Sequence, residues 1–499
     1  MHNQSINLTG NSRVLERWAT RPAGCFTVEM NDCSRAKSQR KNVIQELSML
    51  NNNENIQALL TGPKFPDHEF IRSGATFGEV YAMAGGFRAA FSVPEYKGAS
   101  LCLAVDDRAV MAAVLLAALA GGPILLLPYA FSAQALARMQ QITGFTTAIA
   151  DGDRALPPGT TIIRPPARTS AVQAPCAQVS PQAELLRIFT GGSTGTPQIW
   201  SKTGSNLFGE GLSLARHFAV TEKDCLVATV PPYHIYGLLF SVILPLVSGA
   251  SVVMATPSFP GEIGEVIREQ GATLLAGIPP HYRALRGKTV AGSSLRLAFS
   301  SAGMLDVEDN EAFCQLNTVG IAEVYGSTET GGIATRNRHL GETSFTAFPD
   351  VSWQIKEERL CVRSPFLSPE LPVAGDGFFT TGDRVERSGP SQFILKGRVD
   401  GVTKVGGKRV DLEEVRGVIK KVPMVSDCVV MALPDSGGRE HRIVALVQGA
   451  EVDMKLLRQT LADSLEFYAL PRVLKTIHRI PLQENGKYDR AAIIQFLET

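Results

Sequence analysis

Apolar positions along the chain fall into short blocks of two alternating kinds. From Thr76 the segment TFGEVYAMAGGFRAAF carries its apolar residues at helical spacing, and ASLCLAV follows as a run suited to a buried strand. A second helix is predicted from Ala109, then a break at Gly121-Gly122-Pro123, then the strand Ile124–Leu127. The alternation returns in CLVATV before PPYHIYG, in ASVVMA before a helix from Pro260, and in TLLAGIPP and LRLAFSSAG. Such alternation points to parallel strands joined by crossover helices. After about Thr343 short strands such as SWQIKEERLCVRSP dominate. From Asp400 to Thr499 the pattern becomes α+β, with helices at Leu412–Lys421 and Met454–Leu465 and strands in CVVMAL and HRIVALVQ.

These shifts divide the chain. Residues 1–55 are polar and aperiodic, with a basic run at Arg35–Lys41, and are expected to form an extension. A large domain is expected over 56–399 and a small C-terminal one over 400–499, with the loop-like Pro157–Pro181 separating two units of the first. The stretch Ala109–Gln134 has no charged residue, yet Gly121-Gly122-Pro123 leaves each half too short for about 30 Å of hydrocarbon. No membrane span is expected.

With 44% hydrophobic residues in 499, the chain has material for a core, which excludes general disorder. Forty-nine Lys and Arg against 48 Asp and Glu argue against a general nucleic-acid binder. The eight cysteines form no C-x-x-C pair, so reduced, mostly buried thiols in a cytoplasmic protein are expected. No zinc site is legible among the eight histidines, and the N-terminus lacks the apolar stretch of a secretory signal.

Five segments carry candidate chemistry. Thr190-Gly191-Gly192-Ser193-Thr194-Gly195-Thr196-Pro197 follows the apolar LLRIF; converging backbone N–H groups and hydroxyls there would make an anion cradle, and taken alone the same cluster reads more readily as an ordinary loop. It matches neither the P-loop nor the dinucleotide fingerprint, and Gly406-Gly407-Lys408 also fails the P-loop pattern. In Tyr325-Gly326-Ser327-Thr328-Glu329-Thr330-Gly331-Gly332 a lone carboxylate among small residues suits a hard cation; the same residues also read as a solvated turn. Phe379-Thr380-Thr381-Gly382-Asp383 offers an acceptor for ribose hydroxyls. The fourth segment runs from Lys396-Gly397-Arg398-Val399-Asp400-Gly401 to Val410, and the fifth, Pro481–Tyr488, sets Lys487 on a glycine turn.

In order and spacing the five resemble the signatures of the adenylate-forming (AMP-binding) superfamily of acyl-CoA synthetases, aryl-CoA ligases, luciferases and nonribosomal-peptide adenylation domains. The resemblance runs from about Thr76 to Lys487. Val230–Gly237, with His234, is similar to the family's aromatic/His segment, and Ser300–Leu305, with Ser301, Ala302 and Gly303, to its adenine-side loop. Pattern and resemblance together imply an α/β fold. A large N-terminal domain of doubly wound sheets plus a short-stranded β region precedes a small, mobile α+β C-terminal domain carrying the catalytic lysine.

The resemblance also implies a reaction: ATP-dependent formation of an acyl-adenylate, then a thioester, with Mg²⁺ and coenzyme A. Residues 190–196 would hold the β- and γ-phosphates and Glu329 the Mg²⁺. Tyr325 would stack near adenine with Gly326, Ser327 and Thr328 beside it, and Asp383 and Arg398 would hold the ribose. Lys487 would bridge carboxylate and α-phosphate, Asp400 would be the hinge, and Gly407 would border the pantetheine tunnel. His234, Gly326 and Gly331 would border the acid, though His234 reads equally as a structural histidine.

Two departures stand out. Gln198 replaces the usual lysine after the loop proline, with Lys202 a candidate to supply charge from nearby, and Thr330–Phe379 is shorter than usual. No Asp occurs between Cys225 and Ala255, which disfavours an α-amino acid, and Gly326 replaces the tryptophan of acetate-specific relatives. A fatty or aryl acid larger than acetate is expected. Loading of a carrier-protein pantetheine, and a non-catalytic nucleotide-binding relative, stay open as alternatives.

Overall fold

The uninterrupted apolar runs become interior strands, because a parallel strand covered by helices on both faces has no polar side to show. The structure, a computed structural model, describes residues 52–168, 180–190, 198–290, 292, 294–405, 408–434, 441–483 and 486–498. Among these residues the first sheet has six strands: β1 (Ser100–Ala104), β2 (Ile124–Leu127), β3 (Thr147–Ala150), β4 (Thr161–Ile163), β5 (Glu184–Thr190) and β6 (Gln198–Thr203). Their order is β4-β3-β1-β2-β5-β6, parallel except for β6, which turns back along β5.

The second sheet has eleven strands among the described residues. Its parallel half holds β7 (Cys225–Ala228), β8 (Ser251–Val252), β9 (Leu274–Gly277), β10 (Leu297–Ser300) and β11 (Ile321–Ser327), ordered β8-β7-β9-β10-β11. The chain then doubles back as β12 (Gly331–Asn337), followed by β13 (Phe345–Ala347), β14 (Ser352–Lys356), β15 (Arg359–Arg363), β16 (Phe379–Arg387) and β17 (Gln392–Arg398). These extend the same sheet antiparallel, in the order β12-β13-β17-β16-β15-β14. The short-stranded region is therefore the continuation of a parallel sheet; pairing with β11 covers an edge that would otherwise show bare N–H and C=O groups.

Beyond the turn Val399–Gly401 come a hairpin, β18 (Val402–Val405) with β19 (Lys408–Asp411), and a sheet of β20 (Asp427–Pro434), β21 (His441–Gln448) and β22 (Val473–Ile477). The helices Leu412–Lys420, Met454–Ser464 and Arg490–Glu498 accompany them. The strand VLKTI and the final helix were not legible in the apolar pattern. Both are short, and in β22 only Leu474 is buried.

The uncharged stretch resolves as predicted. Asp107 caps the helix Arg108–Leu119, all of whose residues are buried, and β2 follows after the glycine turn. Arg108 buries its guanidinium against the Met254 carbonyl and, at 2.8 Å, the Thr256 hydroxyl. No helix among the described residues is long and apolar enough to cross a membrane. A helix over 52–59 begins inside the stretch read as an extension: Asn52 accepts from Arg216 at 2.9 Å, and Ser205 donates to Asn53 at 3.2 Å. The basic run Arg35–Lys41 lies outside the described residues. The five described cysteines, Cys102, Cys225, Cys314, Cys361 and Cys428, are buried and unpaired.

Candidate active site

β7, β9, β10 and β11 lie side by side, parallel, and release the chain at one edge. Ligand groups gather at this carboxyl edge in open α/β sheets. β7 leads into Thr229–His234, β9 into Ile278 and the helix Pro279–Ala284, β10 into Ser301–Leu305, and β11 into the turn before β12.

The β11–β12 hairpin is held in register by a buried cross-strand pair, Arg336 to Glu323 at 3.1 and 2.9 Å. At its tip Ser327 N–H donates to the Thr330 hydroxyl at 3.1 Å, and Thr330 N–H to Ser327 Oγ at 3.3 Å. Thr328 and half-buried Glu329 complete the turn. The Glu329 carbonyl accepts from Ser368 N–H at 2.8 Å. A Cβ at Gly326 would overlap the Gly331 carbonyl oxygen across the hairpin. Glycine at 326 therefore has a backbone reason of its own, beside any room it leaves for an acid.

Three of the predicted nucleotide residues converge. The Tyr325 hydroxyl donates to Asp383 Oδ2 at 2.5 Å, and Arg398 faces Asp383 Oδ1 at 3.6 Å. Asp383 and Arg398 are cross-strand partners in β16 and β17, so the pairing register brings them together. Burial first, and the Asp383 charge second, push the Tyr325 phenol well above its ordinary range. Ser301 donates to the Val324 carbonyl at 2.8 Å, tying the loop after β10 to β11 beside Tyr325. Within that loop Ala302 has φ +68°, a conformation uncommon for a residue with a side chain. Gly303 follows it, beside Pro279.

On the other side His234 stands just before the short helix Ile235–Leu238, its ring 4.7 Å from that of Tyr233. Its buried Nε2 has no hydrogen-bond partner among the described residues. Burial, and then the positive charge of Lys487, lower His234 to a pKa of about 4, so its ring is neutral. A cavity of about 430 Å³ adjoins, lined among others by Arg108, Pro231, Tyr233 and Met254.

Lys487 reaches this place from the far end of the chain. Gln483 N–H donates to the Lys487 carbonyl at 2.7 Å, and Leu482 bridges Tyr488, closing a tight turn. Gly486 takes φ +75° in it and lies so close to Ile278 that any Cβ would overlap the Ile278 side chain. Thus the turn rests on the end of β9, and the positive charge of the exposed Lys487 acts on His234.

Thr190 ends β5; Gly191, Gly192, Ser193, Thr194, Gly195 and Thr196 lie outside the described residues, as do Gly407 and the Asp400 side chain. The Asp400 backbone belongs to the turn Val399–Gly401, between β17 and β18. Lys202 is fully buried and directed at the Phe366 carbonyl, 2.9 Å away. Sequence reasoning missed its counterpart Glu210, which accepts from Gly332 N–H at 2.7 Å. A signal was present. In the helix Gly204–His217, Glu210 stands on the buried face with Leu207, Gly211 and Leu214, an acid among apolar residues at helical spacing.

The sequence model of the AMP-binding enzyme family matches residues 61–375. The chain belongs to the AMP-binding enzyme family. It is 28% identical over 357 residues to the sulfoacetate–CoA ligase of Cupriavidus necator, an overlap of 65% of this chain and 70% of that protein. The crystal structure of ATP-bound MatB from Rhodopseudomonas palustris aligns with 89% of this chain and 98% of its own, at TM-score 0.77 and 19% identity. MenE from Bacillus subtilis with ATP and magnesium ion aligns with 87% of this chain and 96% of its own, at TM-score 0.72 and 19% identity. These likenesses are of fold, and the α/β architecture is common to them. As a member of the family the protein is an adenylate-forming ligase by class.

Proposed function

We propose that the protein joins a carboxylic acid to coenzyme A through an acyl-adenylate. In the first step a carboxylate oxygen attacks the α-phosphorus of ATP, the bond to the bridging oxygen breaks, and pyrophosphate leaves. In the second the thiol sulfur attacks the acyl carbon, AMP leaves with the electron pair, and the thiol proton passes to solvent. The observation that carries this reading is the seating of the Lys487 turn on Ile278, which brings a lysine whose positive charge acts on the neutral His234. A cation there offsets repulsion between two anionic reactants and stabilises the charge of the transition state.

The remaining roles are those that the resemblance to the family implies. Asp383, aligned by Tyr325 and Arg398, would accept from the ribose, and Ser301–Gly303 would border adenine. His234 and Gly331 would border the acid, with residues 190–196 on the phosphates and Gly407 on the thiol's path. The turn fits a divalent cation, offering a half-buried carboxylate among hydroxyls. Among the described residues no cluster of three or more His, Cys, Asp or Glu groups is built for a metal. Glu329 would hold Mg²⁺ with the other positions left to phosphate oxygens and water; the cation supplies neutralising charge. Residues 400–499 would act as a small domain turning about Asp400, and 56–399 as the body that binds ATP and acid. The acid is taken to be fatty or aryl, larger than acetate and without an amine, and the setting cytoplasmic.

Carboxylate-dependent exchange of pyrophosphate into ATP, run over a panel of fatty and aryl acids, tests the first step. Exchange with none of them by folded protein would overturn the reading. Thioester formation offered coenzyme A and a carrier protein in parallel tests the second, and a product on the carrier alone would move the acceptor.

A further inference from the structure

We infer that Lys202 and Glu210 are positioning residues that fix the Glu329 turn in the shape in which it holds a divalent cation. The inference rests on the role proposed for Glu329. Lys202, on β6, is 1% exposed, and its Nζ donates to the Phe366 carbonyl at 2.9 Å and reaches the Glu329 carbonyl at 3.5 Å. The Glu329 carbonyl also accepts from Ser368 N–H at 2.8 Å, so Lys202 grips both the turn and the segment that backs it. Glu210, 3% exposed, holds the other end: Oε1 accepts from Gly332 N–H at 2.7 Å, and Oε2 lies 2.8 Å from where a Gly331 Cβ would be.

Each charge thus meets the end of the turn whose backbone suits it, the ammonium on a carbonyl and the carboxylate on an amide. Burial lowers Lys202 to a pKa of about 8 and raises Glu210, and each partly offsets the shift of the other. Two ions this deep are costly, and a well-packed apolar pair is often as stable or more so. Stability alone does not account for them. Holding a carboxylate-bearing turn in one shape before the cation arrives does, because groups behind a ligand set its orientation.

The test reads cation affinity without turnover: Mn²⁺ binding to the full-length protein with a non-hydrolysable ATP analogue, followed by electron paramagnetic resonance. Lys202→Met and Glu210→Gln each strand one buried charge and lower Tm. The double variant strands neither and is expected to regain Tm to within about 2–4 °C, the shift typical of a small stability change in a large domain. It should still bind Mn²⁺ about 10- to 100-fold more weakly, the scale for losing groups behind a metal ligand. Mg²⁺ half-saturation of pyrophosphate exchange should rise in step, with the acid KM little changed. Mn²⁺ affinity equal to wild type in the folded double variant would overturn the proposal. Should the double variant not fold, amide exchange in the ligand-free wild type decides: protection of residues 329–332 equal to β11 and β12 supports it, and open-loop exchange overturns it. Glu329→Gln separates the two readings. Unchanged Mn²⁺ binding there removes the role of Glu329 and the pair's role with it; weakened binding there, with wild-type affinity in the double variant, removes the pair's role alone.

Discussion

The Arg283 guanidinium meets the Asp427 carboxylate at 2.6 Å, joining the helix after β9 to the first strand of the C-terminal sheet. The same carboxylate oxygen accepts from the Tyr488 hydroxyl at 2.8 Å, and Tyr488 is the residue after Lys487. Arg416 adds a third contact at 3.3 Å, while Lys420 and Arg283 both reach Asp306 at 2.8 Å. These pairs hold the C-terminal sheet where the Lys487 turn lies against Ile278.

Asp427→Ala should therefore slow acyl-adenylate formation by about tenfold, equivalent to about 1.4 kcal/mol. Thioester formation from supplied acyl-adenylate should fall less, because the contact belongs to one arrangement of the C-terminal residues. Measuring the two half-reactions separately checks this, and an equal loss in both would sink it.

Lys487→Ala removes the cation itself. Adenylation should drop by about 10²–10³, the scale for one transition-state donor, with turnover of supplied acyl-adenylate largely kept. Unchanged pyrophosphate exchange would refute the assignment of this lysine.

His234 and His281 share a pH signature. Burial holds both at pKa values of about 4, with the Lys487 charge contributing at His234, against an ordinary 6.5. The unfolded chain then binds more protons between those values, so their contribution to stability is complete above pH 6.5 and lost as pH falls toward 4. Tm should decline through that window, and His281→Asn should flatten the decline. A Tm that is level across the window in the wild-type protein would contradict the burial argument.

Two glycine substitutions should behave oppositely. Gly326→Ala forces the hairpin arms apart and should cost about 1–3 kcal/mol, as overpacking does. Gly417→Ala, within the helix Leu412–Lys420 and with nothing within 4 Å of the new Cβ, should stabilise by about 0.5–1 kcal/mol. Denaturant unfolding of the two variants side by side is the check.

The parallel strands were legible in the sequence because burial on both faces leaves unbroken apolar runs. The motifs at the carboxyl edge were legible because each is a local cluster: Tyr325 to Gly332 is one continuous segment. What escaped is what pairing across distance creates. Lys202 finds Phe366 at a separation of 164 residues, Glu210 finds Gly332 at 122, and Arg283 finds Asp427 at 144. Nothing in the local pattern of an isolated Lys, Arg or Asp names a partner so far away. The continuity of the parallel and antiparallel halves escaped for a related reason: a strand's periodicity says which faces are covered, not which neighbour lies at its edge.

The parallel half of the second sheet sends its functional segments out by one edge, and its opposite edge bears return turns. Gly271 lies there, with φ +61° at the end of the helix Pro260–Gln270 and open space around it. Between that turn and Ile278 stand the four residues of β9, roughly 13 Å of strand. A tag or a fluorescent reporter spliced in at Gly271 would meet the molecule from behind, away from the segments that leave the carboxyl edge.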